Sequence, residues 1–386
     1  MTATPTGDRA VCVLGYGLHP PWSEGTRVLT RDVVRSLLHT QGIDVSCLST
    51  IGAGATPAEE LPITYVRESV VGDLVEHLGG YRYNTDVVML ARLFRRFIAQ
   101  ARKAEVVHAG FASHTMFSAL ADAVSDAAFV AQTFGGIEHA DLAKRLGTFD
   151  RIDAYVSCSR GDLETLRELG VPERKLHAVD APVFTTDFDT PGSENARAEF
   201  AVDDGDFVVG YLGNVNERRF PRAVAARIEE FADRSDVTVL VATKLIEDHP
   251  FSNASGVTVV NRYLDPREKR LFFRACDVLL FPFDFDDRTS APIIDPPLSV
   301  LEAMAAARPV VTTRCLSLPT LLQDGETGYL REPGDVDGLL DAISRLADRP
   351  EERRRIGRAA RDVVETRHAP ETVATQLREV YDEVVP

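Results

Sequence analysis

Short runs of β-branched and aliphatic residues alternate with longer amphipathic stretches along this chain of 386 residues, and this alternation restricts the fold more than any other feature. Strand-like runs separated by helical segments are typical of parallel sheets with helices on both faces. The strands predicted in the first half are Ala10–Leu14, Asp44–Ser49, Ile63–Arg67, Glu105–His108, Ala127–Gln132, Ala154–Ser157 and Lys175–Val179. The helices predicted between them include Arg27–Leu38, Asp86–Lys103 and Gly161–Leu169.

A polar stretch, Thr185–Asn195, interrupts the alternation, which then restarts. The strands predicted after it are Phe207–Leu212, Val237–Ala242, Val257–Val260, Val278–Phe281 and Val310–Thr312. Because the chain is too long for one ordinary core, we expect an α/β protein with two doubly wound Rossmann-like domains facing each other across a cleft. The predicted boundaries are 1–184 for the first domain, 185–204 for a linker, 205–368 for the second domain and 369–386 for a C-terminal helix.

Charge and cysteine content exclude several function classes. Acidic residues outnumber basic ones by 59 to 43, a formal net charge of −16, which argues against a nucleic-acid partner because binding phosphates requires clustered Lys and Arg. The five cysteines lack metal-ligand or redox spacing, which favours buried thiols in a reducing compartment. With no span-length apolar segment and no signal-peptide pattern, we expect a cytoplasmic protein.

The segment from Asp277 to Gly328 carries the clearest chemical signal. It contains a buried strand, an acidic loop and the sequence DPPLSVLEAMAAARPVVTT. Pro296 and Pro297 suit the start of a helix, where a missing N–H group costs nothing. A helix start of this kind attracts an anion such as a diphosphate. The amides predicted to be free there belong to Leu298, Ser299 and Val300.

Glu302 is expected in the first turn of the same helix. Its carboxylate either accepts hydrogen bonds from sugar hydroxyls or only complements the helix dipole. The residue taken alone favours the second interpretation, and the neighbouring sequence decides between the two.

That neighbouring sequence resembles a known family. VLEAMAAARPVV, DGETGYLREPGD and FFRACDVLLFP resemble the donor-site signature of family 4 glycosyltransferases, which are retaining enzymes of the two-domain GT-B fold. VVGYLGNVNERRF resembles the first C-terminal strand of the family and its phosphate-facing loop, and HPPWSEGTRVLTRDVVRSL resembles its glycine-bearing N-terminal loop. VVHAGFASH, FVAQTFGG and DAYVSCSRGDLETLRELGVPERKLHAV follow in family order, so the resemblance covers nearly the whole chain.

The resemblance implies a metal-independent glycosyltransferase that moves a sugar from a nucleoside diphosphate sugar to an acceptor hydroxyl with retention of configuration. The donor would be a co-substrate and no cofactor would be needed. The acceptor would be a small molecule, a saccharide or a lipid, in a pocket of N-terminal loops that include Trp22. The C-terminal helix would cross back to the first domain.

The basic residues of Asp86–Lys103 are compatible with an anionic membrane, but a packed surface helix is favoured.

The same resemblance assigns the site residues. Glu302 would hold the ribose, Ser299 and Val300 would offer amides to the phosphates, and Arg219 with its neighbour Arg218 would stabilise the leaving diphosphate. On composition alone, the two arginines fit a solvated helix start equally well. The remaining predicted donor-binding residues are Gly25, Gly213, Asn214, Lys244 and Leu298, with Asn261–Leu264 near the base.

Three positions depart from the family pattern. Ile294 replaces an acidic residue, Asn214 replaces an arginine, and Gly135 replaces a histidine near the reacting sugar. The candidate substitutes for the lost groups are Asp284, Asp286, Asp287, Asp295, His108, His114 and His139.

These departures leave two alternatives open: a non-catalytic nucleotide-binding relative and a nucleotide-sugar epimerase. A nicotinamide dehydrogenase is disfavoured, because Pro20 stands where the third glycine of the dinucleotide fingerprint belongs.

Overall fold

The computed structural model describes residues 8–22, 24–52, 54–67, 95–110, 120–124, 126–134, 148–189, 195–232, 236–243, 251, 256–285 and 294–385. The chain forms two compact units. The first unit comprises Met1–Pro182, Pro292–Ile294 and Pro370–Pro386, and the second unit comprises Val183–Ala291 and Asp295–Ala369. The boundaries proposed from the sequence stay a prediction.

The first unit is built on a parallel sheet of seven strands in the order β3-β2-β1-β4-β5-β6-β7. Most of its strand positions are buried on both faces, as expected for a parallel sheet covered by helices. Its order reverses between β1 and β4, which is the switch point of a doubly wound fold. The strands are β1 Arg9–Leu14, β2 Ile43–Ile51, β3 Ile63–Arg67, β4 Val106–Gly110, β5 Ala128–Thr133, β6 Ala154–Ser157 and β7 Leu176–Ala178.

The second unit repeats this plan with six parallel strands in the order β10-β9-β8-β11-β12-β13. Here the order reverses between β8 and β11, so the carboxyl ends of these two strands flank the expected ligand position. The strands are β8 Phe207–Leu212, β9 Val237–Thr243, β10 Val257–Asn261, β11 Val278–Phe281, β12 Val310–Thr313 and β13 Tyr329–Arg331.

Helices connect the strands of both sheets, and additional helical residues lie at 95–101 and 120–123. Short 3-10 turns cover Glu173–Lys175 and Thr185–Phe188. The described helices are α1 Gly25–Leu38, α2 Thr148–Arg151, α3 Arg160–Glu168, α4 Ala196–Glu199, α5 Arg222–Ala232, α6 Pro266–Ala275, α7 Leu298–Ala305, α8 Leu318–Leu321, α9 Val336–Asp348, α10 Pro350–Arg367 and α11 Pro370–Val384.

The last helix, α11, belongs to the first unit, where it packs against α1. His108 of β4 lies between α11 and the sheet: its Nδ1 accepts from the Tyr381 hydroxyl at 2.6 Å, and its Nε2–H donates to Gln132 Oε1 at 3.0 Å. Burial lowers the pKa of His108 to about 4, so the ring is neutral at neutral pH. His108 is fully buried in these contacts and is not available as a substitute for the family histidine.

The predicted fold class is confirmed, and several strands, such as Ile63–Arg67 and Ala154–Ser157, have the predicted bounds. Strand β13 was not predicted from the sequence. Of the predicted helix Asp86–Lys103, the described part is helical over 95–101. All five cysteines are free and buried, in agreement with their scattered spacing.

Candidate functional site

Helix α7 follows β11 and begins at Leu298, directly after Pro297. The Val300 amide donates to the Pro297 carbonyl at 3.0 Å, and the Leu301 amide donates to the same oxygen at 3.3 Å. The prediction that the Val300 amide is free is therefore wrong. The amides of Leu298 and Ser299 have no acceptor in the described part of the chain, so these two N–H groups are the ones available to an anion.

Glu302 is the fifth residue of α7, so its predicted place in the first turn is wrong. Both prolines precede the helix, which shifts Glu302 into the second turn. Its side chain is 10% exposed, and its Oε1 accepts from Lys269 Nζ of α6 at 2.8 Å. The helix-dipole interpretation therefore does not apply, because the dipole acts on charges in the first turn. The orientation of the Glu302 carboxylate is set instead by its ion pair with Lys269. Lys269 was not identified from the sequence.

The loop after β8 is held in place by three hydrogen bonds. The Tyr211 hydroxyl donates to the Asn214 carbonyl at 2.7 Å, while Asn216 Oδ1 accepts from the amides of Arg218 and Arg219 at 3.1 and 2.9 Å. Gly213 has a φ of +154° and sits beside the Tyr211 ring, where a side chain would be strained. The loop is therefore fixed before any ligand binds.

Arg219 is half-buried, and burial lowers the pKa of its guanidinium. No carboxylate lies within ion-pair distance of it among the residues that the structure describes. In contrast, Arg262 binds Glu268 through two nitrogens at 2.6 Å, and Arg361 binds Asp189. A desolvated cation without an acid partner is unfavourable unless an anion joins it. Arg219 is thus a candidate anion-binding group.

The loops after β8 and β11 meet at the switch point of the second sheet. The Asp284 amide donates to the Arg218 carbonyl at 2.7 Å. This hydrogen bond joins the loop after β8, which carries Arg218 and Arg219, to the loop after β11. The next helix along the chain after β11 is α7. Most of the described site residues predicted in the second unit lie on these two connections, whereas Asn261–Leu264 lie at the end of β10 and directly after it.

Of the other predicted donor residues, one belongs to the first unit and one lies outside the described residues. Gly25 is the exposed first residue of α1 in the first unit, and Lys244 lies outside the described residues. Asn261 ends β10, and its Oδ1 is buried without a hydrogen-bond partner in the described ranges. Tyr263, two positions later, is 36% exposed.

The positions that depart from the family pattern have distinct environments. Ile294 is buried, and Asp295 uses one carboxylate oxygen to accept from the Ser317 amide at 2.9 Å and from the Ser317 hydroxyl. Asp295 therefore positions the segment before α8. Of the other candidates, Asp284 is exposed. The positions outside the described residues are Gly135, Asp286, Asp287, His114 and His139.

Among the described residues, no group of His, Cys, Asp and Glu side chains has the arrangement of a metal site. None of the described helices is long and apolar enough to cross a membrane.

Residues 206–349 match the family model for glycosyl transferases group 1. This segment contains both loops, Lys269 and α7. The N-acetyl-α-D-glucosaminyl L-malate synthase of Bacillus anthracis is 36% identical over 88 residues, which cover 23% of each chain. The D-inositol 3-phosphate glycosyltransferase of Corynebacterium aurimucosum is 28% identical over 224 residues, 53% of this chain and 50% of that protein. The chain spans about half the length, or less, of these curated relatives.

Solved structures extend the likeness to the whole fold. Anabaena Alr3699/HepE in complex with UDP-glucose superimposes with a TM-score of 0.70 at 13% identity, covering 97% of this chain and 99% of that chain. Sucrose-phosphate synthase from Thermosynechococcus elongatus gives a TM-score of 0.70 at 15% identity with the same coverage. The resemblance seen in the sequence is thereby confirmed. Residues 206–349 form a glycosyl transferases group 1 domain, in a chain whose fold is that of the GT-B glycosyltransferases.

Proposed function

We propose that this protein transfers a sugar from a nucleoside diphosphate sugar to an acceptor hydroxyl, with retention of configuration and without a metal ion. The donor nucleotide binds at the switch point of the second unit, between the loop after β8 and the start of α7. The domain match on residues 206–349 supports the reaction class, and the contacts within that domain support the location.

The proposal depends chiefly on the environment of Arg219. The fold holds its loop through Asn216 and Tyr211, yet supplies no carboxylate to its half-buried guanidinium in the described part of the chain. A diphosphate would complete this electrostatic environment, because a guanidinium donates two N–H groups to phosphate oxygens. The amides of Leu298 and Ser299 add donors from the adjoining connection.

The same groups account for the chemistry. When the bond between the anomeric carbon and the diphosphate breaks, negative charge accumulates on the leaving oxygen. Arg219, assisted by the exposed Arg218, stabilises this charge as a metal ion would in other transferases. Fixed donors are effective because they need little reorganisation during the reaction.

The acceptor is proposed to be a small molecule. The curated relatives are named for inositol 3-phosphate and malate acceptors, which favours this class over a polymeric saccharide or a lipid.

One observation favours a second function, nucleotide binding without transfer. Ile294 occupies the position where the family carries its second acidic residue, and it is buried. The neighbouring Asp295 binds Ser317. If no other carboxylate contacts the sugar, the protein binds nucleotide but leaves the donor intact.

Release of nucleoside diphosphate from UDP-glucose, UDP-N-acetylglucosamine, GDP-mannose and ADP-glucose separates the two functions. The assay contains EDTA and is run with polyols and sugar phosphates as acceptors, with Arg219→Met as the inactive control. The proposal predicts release that depends on one donor and one acceptor, persists in EDTA and is lost in the variant. Product NMR then checks retention. Nucleotide binding without release from any donor would favour the non-catalytic function.

A further inference from the structure

The pair formed by Lys269 and Glu302 joins α6 to α7 inside the second unit. Nζ donates to Oε1 at 2.8 Å, and the two side chains are 19% and 10% exposed. The other carboxylate oxygen, Oε2, has no hydrogen-bond partner within the described ranges. One oxygen of Glu302 is therefore occupied by the protein, and the other is left for a ligand.

The position of Lys269 on α6 is unusual for a lysine. The buried face of the helix consists of Leu271, Phe272, Phe273 and Ala275, and Lys269 lies one turn before the two phenylalanines. A capping box formed by Asp265 and Glu268 fixes the helix start immediately before it. The lysine stem thus runs along an apolar surface, and its ammonium group emerges at Glu302.

Stability alone does not explain this pair. A largely buried ion pair gains little over apolar residues of the same volume, because both charges lose hydration. The same helix also forms an exposed ion pair, between Arg267 and Glu199 at 3.7 Å. Such a pair forms without the cost of burying a carboxylate. What the Lys269–Glu302 pair does provide is a carboxylate in one fixed orientation.

We propose that Lys269 is a positioning residue of the donor site: it holds Oε1 of Glu302 so that Oε2 accepts a hydroxyl of the donor ribose. The inference rests on the proposed function and adds to it a residue that determines recognition of ribose. Without the lysine, the carboxylate is free to rotate, and it no longer selects for the hydroxyl.

The test compares ribonucleotides with deoxyribonucleotides by calorimetric titration. UDP, GDP, ADP and TDP and their 2′-deoxy or ribo and 3′-deoxy counterparts are titrated into the wild type, Lys269→Met, Lys269→Arg and the matched control Arg267→Met. A hydrogen bond to a carboxylate predicts that the wild type prefers its ribonucleotide over one deoxy form by about 10-fold or more. We expect Lys269→Met to lose this preference, and Lys269→Arg and Arg267→Met to retain it.

The possible outcomes separate the two claims. Binding by the wild type with an unchanged preference in Lys269→Met overturns the positioning role and leaves the proposed function intact. Equal weakening of ribo and deoxy forms assigns Lys269 a purely structural role and also overturns it. No nucleotide binding by the wild type contradicts both claims. If Lys269→Met does not fold, Lys269→Gln, which keeps an N–H donor without charge, must still reduce the preference.

Discussion

Replacing Arg219 with methionine should make the free protein more stable while weakening its binding to nucleotides. The guanidinium is half-buried, lacks an acid partner in the described residues and has a pKa lowered by burial. A base with a lowered folded pKa carries a desolvation penalty at every pH below that pKa, so the penalty is fully present at neutral pH. Methionine keeps much of the stem volume without the charge.

The two effects have different magnitudes. Removing a partly desolvated charge should raise the free energy of unfolding by about 1 kcal/mol, which for a unit of this size is about 2–4 °C in the melting temperature. Losing charge-assisted hydrogen bonds to a phosphate should weaken nucleotide binding by about 1.5–3 kcal/mol, or roughly 10- to 150-fold. A substitution that raises the free energy of unfolding and weakens nucleotide binding identifies a side chain that is held in place to bind a ligand.

Thermal unfolding without ligand and calorimetric titration with nucleoside diphosphates measure the two effects. Arg227→Met is the matched control, because Arg227 is an exposed arginine of α5 that pairs with Glu230 at 3.3 Å. We expect it to change neither quantity appreciably. If Arg219→Met lowers the melting temperature and leaves affinity unchanged, Arg219 is a structural residue and the reasoning is refuted.

Three further predictions concern the framework around the site. The free energy of unfolding should fall by about 3 kcal/mol between pH 6.5 and 4, because His108 takes up a proton in the unfolded state over this range while its folded pKa is about 4. Urea unfolding of the wild type and of His108→Gln measures this difference. Asp265→Ala should cost about 1 kcal/mol by removing the α6 capping box with Glu268, seen as a lower melting temperature. Gly210→Ala should cost about 1–3 kcal/mol, because the added methyl overlaps Cys276, and Cys276→Ala should recover part of this loss in thermal unfolding.

Each of these predictions has its own contradicting result. A pH profile of His108→Gln identical to that of the wild type would assign the acid sensitivity to other groups. An unchanged melting temperature of Asp265→Ala would show that the capping bonds contribute nothing net. Equal destabilisation of Gly210→Ala with and without Cys276→Ala would place the steric conflict elsewhere.

The sequence was most informative where local pattern and fold agree. Runs such as Phe207–Leu212 and Val278–Phe281 are continuous apolar segments, and buried parallel strands require this composition, so their bounds were predicted correctly. The three-residue strand Tyr329–Arg331 was missed because so short a run has no detectable period. The last helix, predicted at 369–386, begins at Pro370, whose ring disfavours helical backbone in the residue before it.

The site was predicted as a set of residue types but not as a set of contacts. Leu298, Ser299, Glu302 and the two arginines were named from the sequence, whereas the pairing of Glu302 with Lys269 was not. These two residues are 33 positions apart, and only the packing of two helices brings them together. The signal that could have identified Lys269 is a basic residue one turn before the apolar residues Leu271–Phe273, in a segment with helical spacing.

Calorimetric titration of the wild type and Glu302→Ala with UDP, GDP, ADP and TDP tests most directly whether the second unit holds a nucleoside diphosphate. We expect one nucleotide to bind the wild type and to bind the variant about 10- to 100-fold more weakly, because a carboxylate–hydroxyl hydrogen bond is lost. Equal affinity of the two proteins, or no binding of any nucleotide at millimolar concentration, would contradict the assignment of the donor site.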